Sequence, residues 1–176
     1  MTRILVAGIG NLFLGDDGFG PEVVRRLSTE PAPTGVRVVD YGIRGMHLAY
    51  DLLDGYDLLV LVDALPGEGR PGEVVVLAVG PADLVPGDLD AHGMDPAAVL
   101  GALTRLGGTP PPTVVVGCRV ATVAEGIGLS PPVSAAVPAA TTAVRLLLAR
   151  HLTAATRRHA AARPATPPRA AADGRA

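Results

Sequence analysis

Short, continuous apolar runs recur along this chain: ILVAGI from Ile4, VRVVDY from Val36, DLLVLVDAL from Asp57, EVVVLAV from Glu73 and TVVVGCRV from Thr113. Each is bounded by Gly, Pro or Asp, and each predicts a strand covered on both faces. Stretches of helical spacing alternate with them. PEVVRRLS opens with Pro21, whose fixed φ suits a first helical turn. GMHLAYDLLDG places Met46, Leu48, Tyr50 and Leu52 or Leu53 on an apolar stripe and stops at Gly55. DPAAVLGALTRLGG carries Asp95 as a cap before Pro96. A last, long helix is predicted from Ser130, its N-cap, with Pro138 expected to kink or split it. The alternation predicts one α/β domain with helices on both faces of its sheet.

Beyond Leu152 the pattern changes. Residues 153–176 hold Ala, Arg and Pro but no large apolar side chain, so burial cannot offset the entropy of ordering them. The expected organisation is an α/β domain over 1–152 and a disordered tail over 153–176. With 176 residues and 48% hydrophobic content, one well-buried core is expected. Aromatics make up only 3%, so that core is aliphatic and recognition by ring stacking is disfavoured.

Charge removes further classes of function. All 15 basic residues are Arg, which excludes a Walker lysine or a Schiff base, and the net charge of -2 leaves no cationic footprint for nucleic acid. The single cysteine, Cys118, excludes an internal disulfide and a Cys-rich zinc site; within an apolar strand it reads as a core residue. No apolar run reaches the ~18 residues of a membrane span. The chain opens on RILVAGIG without a leader-like segment. A cytoplasmic protein without membrane insertion, and a monomer, is the expectation.

The candidate chemistry is carried by loops. VAGIGNLFLGDDGFG (6–20) begins like a phosphate-binding turn, but the third Gly of a dinucleotide fingerprint would fall at Phe13. Asp16 and Asp17 would repel a pyrophosphate, so the loop suits a cation better. Asp63 stands near the carboxyl end of the third strand, and His92 lies in a polar connection between the fourth strand and the third helix. Two carboxylates and an imidazole, if they converge, suit a borderline divalent metal such as nickel or zinc. Asp40, at the end of the second strand, lines the same edge, where it either orients His92 or shapes a substrate groove; a turn-forming role is the alternative. Gly42 and Gly45 allow close approach of a peptide or an awkward turn, Arg44 can meet a carboxylate, and Asn11 can brace the first loop.

Taken in order, GIGNLFLGDDGFG with Asp17, VDYGIRGM from Val39, VLVDALPG with Asp63, DLDAHGMD with His92 and GIGLSPPVSAAV from Gly126 resemble the signatures of the hydrogenase maturation endopeptidases. The resemblance runs from about Arg3 to about Leu152. It implies a three-layer α/β/α sandwich around a twisted, mostly parallel five-stranded sheet, in agreement with the apolar pattern. It also implies an endopeptidase that trims the C-terminal extension of a nickel-iron hydrogenase large-subunit precursor after nickel insertion. By the same resemblance Asp17, Asp63 and His92 contact the metal and serve in catalysis, and the nickel is carried by the substrate. Asp40, Gly42, Arg44 and Gly45 are the expected substrate-binding residues. Two other readings stay open: a non-catalytic nickel-dependent chaperone or binding module for the same precursor, and a nucleotide-using α/β enzyme.

Overall fold

The computed structural model describes residues 2–80 and 96–161, with side chains through residue 158. Five strands form one sheet in the order β2-β1-β3-β5-β4: β1 (Ile4–Ile9), β2 (Val36–Gly42), β3 (Leu58–Leu65), β4 (Val74–Val79) and β5 (Thr113–Arg119). β1 pairs in parallel with β2 and β3, and β3 with β5, whereas β4 closes the edge antiparallel to β5. All five strands and the mostly parallel sheet agree with the expectation.

The helices α1 (Phe19–Leu27), α2 (Gly45–Leu52), α3 (Pro96–Arg105) and α4 (Pro131–Ala161) make the outer layers. Strand residues alternate between them, as a pleat with period two requires. Ile4, Val6, Val60, Val62, Val116 and Cys118 join α1 and α4 in one core. Leu5, Ala7, Leu59, Leu61 and Val115 join α2 and α3 in the other. β1 and β3 are buried throughout their apolar runs, which is why neither shows a polar alternation.

Three helical expectations need correction. The buried stripe of α2 is Leu48, Ala49 and Leu52, while Met46 and Tyr50 are about half exposed. Met46, Leu48 and Tyr50 are two apart, a strand period, and on a helix such residues point to different sides. α4 runs unbroken through Pro138, which lies on its exposed side and there forgoes one backbone bond. It also continues past Leu152, so residues 153–161 belong to this helix rather than to a disordered tail; Ala and Arg are strong helix formers and extend it at little cost. Residues 162–176 lie outside the described residues.

The stretch Pro131–Arg158, 28 residues, is long and apolar enough to cross a membrane by length and composition, contrary to the expectation that no segment is. In this fold Val133, Ala136, Val137, Ala140, Val144 and Leu148 of that helix are buried in the core with α1 and the sheet.

Candidate functional site

The chain leaves β1 toward β2 on one side, then returns from β2 to β3 on the other, so the strand order reverses at the carboxyl ends of β1 and β3. Open α/β sheets form a crevice at such a point. Gly8 is in register with both Asp40 of β2 and Val62 of β3. The loop after β1 and the residue after Val62, which is Asp63, therefore meet at this crevice.

The first loop is closely held. Gly10 has φ +131°, and a Cβ there would collide with the carbonyl oxygen of Asp17. Its N–H donates to Gly42 O at 3.0 Å, joining this loop to the one after β2. Asn11 Oδ1 accepts from Phe13 N at 3.0 Å, the bracing expected of it. A short 3-10 turn, Gly15–Gly18, then carries both acidic residues into α1.

The two adjacent carboxylates do different work. Asp16 is fully buried (0% exposed) and accepts from Ser130 N (2.6 Å), Ser130 Oγ (3.0 Å), Ala121 N (3.0 Å) and Thr122 N (3.3 Å). Burial by itself raises its pKa, but these donors, Ser130 first, outweigh it and hold the carboxyl below its ordinary value. Ser130 thus has the structural role expected, although its hydroxyl serves Asp16 and not the first turn of α4. Asp16 ties the loop after β1 to the loop after β5, where Gly15 N donates to Gly126 O and Gly126 N to Phe13 O. Sequence reasoning named Asp16 only as part of the loop's charge; the polar segment GLS preceding α4 gave no sign that Ser130 was its partner.

Asp17 is half-buried and accepts from Asn11 N at 2.7 Å through Oδ2. Asp63 is also half-buried, opposite Gly117 of β5, on the α2/α3 side of the sheet as Leu59 and Leu61 before it. Asp17 thus stands in the loop that follows β1, and Asp63 near the carboxyl end of the adjacent strand β3. His92 lies outside the described residues. Among the described residues no three His, Cys, Asp or Glu side chains form a metal-binding group.

The expected substrate residues make a turn beside the crevice. Asp40 Oδ1 accepts from Gly42 N at 2.8 Å, and Gly42 has φ +53°. Arg44 folds back, donating from Nε to Tyr41 O (3.0 Å) and from Nη2 to Asp40 O (2.6 Å). Gly45 is buried in the first turn of α2. Around this edge the loops expose large apolar side chains: Phe13 (68%), Ile43 (67%) and Ile127 (84%), with Leu12, Met46 and Val123 beside them in sequence.

Cys118 is no competing nucleophile. Cys118 is fully buried on the α1/α4 side, opposite to Asp63, and burial pushes its thiol up to about 11. A protonated thiol in the core neither attacks nor ligates.

Comparison with known proteins agrees with this architecture. Residues 21–146 match the model of the hydrogenase maturation protease family, a span that starts four residues after Asp17. The chain is 33% identical to the hydrogenase 2 maturation protease of Escherichia coli over 139 residues, 77% of this chain and 84% of that one. Among solved structures it is similar to the hydrogenase maturating endopeptidase HybD of Escherichia coli, at a TM-score of 0.75 and 31% identity, with 85% of this chain and 94% of that one covered. It is also similar to the [NiFe] hydrogenase maturation protease HycI of Thermococcus kodakarensis, at a TM-score of 0.66 and 25% identity, covering 83% and 90%. The chain belongs to the hydrogenase maturation protease family, a class of hydrolases.

Proposed function

We propose that this protein is a cytoplasmic, monomeric endopeptidase that removes the C-terminal extension of a nickel-iron hydrogenase large-subunit precursor after nickel insertion. The observation that supports this reading best is the pair of half-buried carboxylates, Asp17 and Asp63, at the switch point of a sheet whose edge exposes Phe13, Ile43 and Ile127. Small-molecule enzymes bury their ligands in apolar pockets, whereas exposed apolar side chains gathered at one edge suit a protein surface.

In this reading Asp17, Asp63 and His92 complete the coordination of nickel that the precursor already holds. The substrate's metal thereby fixes the adjacent peptide bond, and recognition becomes a test of metal loading. A precursor without nickel presents its thiolates to two carboxylates with no cation between them, and binding weakens. Water attacks the scissile carbonyl and gives a proton to Asp17 or Asp63, which returns it to the amide nitrogen as the C–N bond breaks and the C-terminal peptide leaves as an amine. The turn formed by Asp40, Gly42, Arg44 and Gly45 borders the groove for the peptide.

Intact mass of a nickel-loaded large-subunit precursor, before and after incubation with this protein and beside a nickel-free control, tests the proposal. Loss of a defined C-terminal peptide in the loaded sample alone is expected. A stable complex with unchanged mass would instead identify a non-catalytic, nickel-dependent binding module.

A further inference from the structure

Arg119, the last residue of β5, departs from the other arginines. Among those whose side chains are described it alone is not exposed. Among the described residues Arg3, Arg25, Arg37 and Arg145 have carboxylate partners, whereas Arg119, like the remaining, exposed arginines, has none. Its partial burial lies along the stem, so the guanidinium is held in one place rather than ranging over the surface.

The chain also shapes its surroundings to hold this side chain. The connection from β3 to β4 closes over the end of β5, with Gly72 N donating to Arg119 O and Arg119 N to Glu73 O, each at 2.8 Å. Gly69, at φ +138°, leaves room for the stem of Arg119: a Cβ there would stand 2.9 Å from Cγ, 3.0 Å from Cδ and 3.2 Å from Nε. Packed in this way the stem is fixed while the guanidinium stays available. Arg119 is opposite Leu65, two residues beyond Asp63 and on the same face of the sheet. Strand spacing and rise put the Cα atoms of Arg119 and Asp63 about 8 Å apart, which a peptide covers in two or three extended residues.

Resting on the function proposed above, we infer that Arg119 binds a carboxylate side chain of the precursor within about three residues of the cleaved bond, and so sets which precursors are accepted. Its planar fork suits a bidentate carboxylate, and a positive charge two residues further along the sheet than Asp63 tells the peptide's direction across the crevice. Arg119 acts in binding and positioning rather than in bond cleavage.

The test uses the full chain and nickel-loaded precursor, recording both the dissociation constant of the complex and the rate of shortening. Arg119→Gln keeps most of the side chain's volume, and Arg119→Lys keeps its charge. Arg119→Gln is expected to weaken precursor binding and raise KM about tenfold with kcat nearly unchanged, with partial recovery in Arg119→Lys. As a check independent of folding in this chain, each Asp or Glu of the precursor within three residues of the bond is replaced by its amide. One such replacement should weaken binding to the wild-type protein as much as Arg119→Gln does, and add nothing to that variant. Equal affinity of Arg119→Gln and wild type, or additive losses at every precursor carboxylate, overturns the inference. Arg119-dependent binding without shortening would uphold it while overturning the peptidase reading, and absence of binding by the wild-type protein would overturn both.

Discussion

At the scale of single residues, two neighbouring aspartates divide structure from chemistry. Asp16 is sealed under four hydrogen bonds, whereas Asp17 is half-buried with one backbone donor on Oδ2. Asp16→Asn puts an amide NH₂ among donors and should cost about 3 kcal/mol at neutral pH, read from the urea midpoint. Because the folded pKa of Asp16 is depressed, its contribution is fully present above the unfolded value of about 4 and is lost as pH falls through the folded value. The gap between wild type and Asp16→Asn should therefore narrow below about pH 4, and a gap constant down to pH 2 would contradict this assignment. Asp17→Asn should leave the midpoint within about 0.5 kcal/mol yet abolish shortening of the nickel-loaded precursor, measured by intact mass. Asp17, Asp63 and the turn from Asp40 to Gly45 were legible as candidates because they interrupt or close apolar runs at strand ends, where ligands and turns both draw on polar residues. The separate role of Asp16 was not, since its donors lie more than 100 residues away.

At the scale of elements, the strands were the most legible part, because apolar runs of six to eight residues closed by Gly or Pro leave little choice of structure. The sense of β4 was not. An apolar run carries no mark of strand direction, and only the connection Pro-Gly-Glu-Gly-Arg-Pro-Gly, which turns the chain straight back beside β5, settles it. α4 shows a comparable limit: Pro138 breaks the local rule, but core contacts on both sides of it, Val133 to Val137 and Ala140 to Leu148, keep the helix whole. Tertiary packing thus overrides a propensity that remains as a cost. Pro138→Ala should restore the missing backbone bond at an exposed position and stabilise the protein by about 1–3 kcal/mol, seen as a raised Tm. An unchanged or lower Tm would mean that the helix is adapted to the proline. In the first loop the opposite sign holds. Gly10→Ala must move the carbonyl of Asp17 and should lower both Tm and processing.

At the scale of the whole molecule, the question is where the folded unit ends. Composition places the boundary at Leu152, because no large apolar residue follows it, while helical structure extends to Ala161. The two answers differ because helix propensity and core burial are separate quantities: Ala and Arg prolong a helix that the core no longer needs. Leu148 is buried and Leu152 packs against the same core cluster, whereas the exposed Thr153, Thr156, Arg157 and Arg158 have no place in it. Truncation after residue 152 should therefore cost less than about 1 kcal/mol and leave precursor shortening intact. Truncation after residue 147 removes Leu148 and Leu152 together, and should cost about 3–5 kcal/mol, enough to unfold much of a marginally stable domain. Urea midpoints of the two truncated chains decide the matter. Equal, small losses would show that the core ends before Leu148, and equal, large losses would give the last turns of α4 a structural role that their contacts do not reveal.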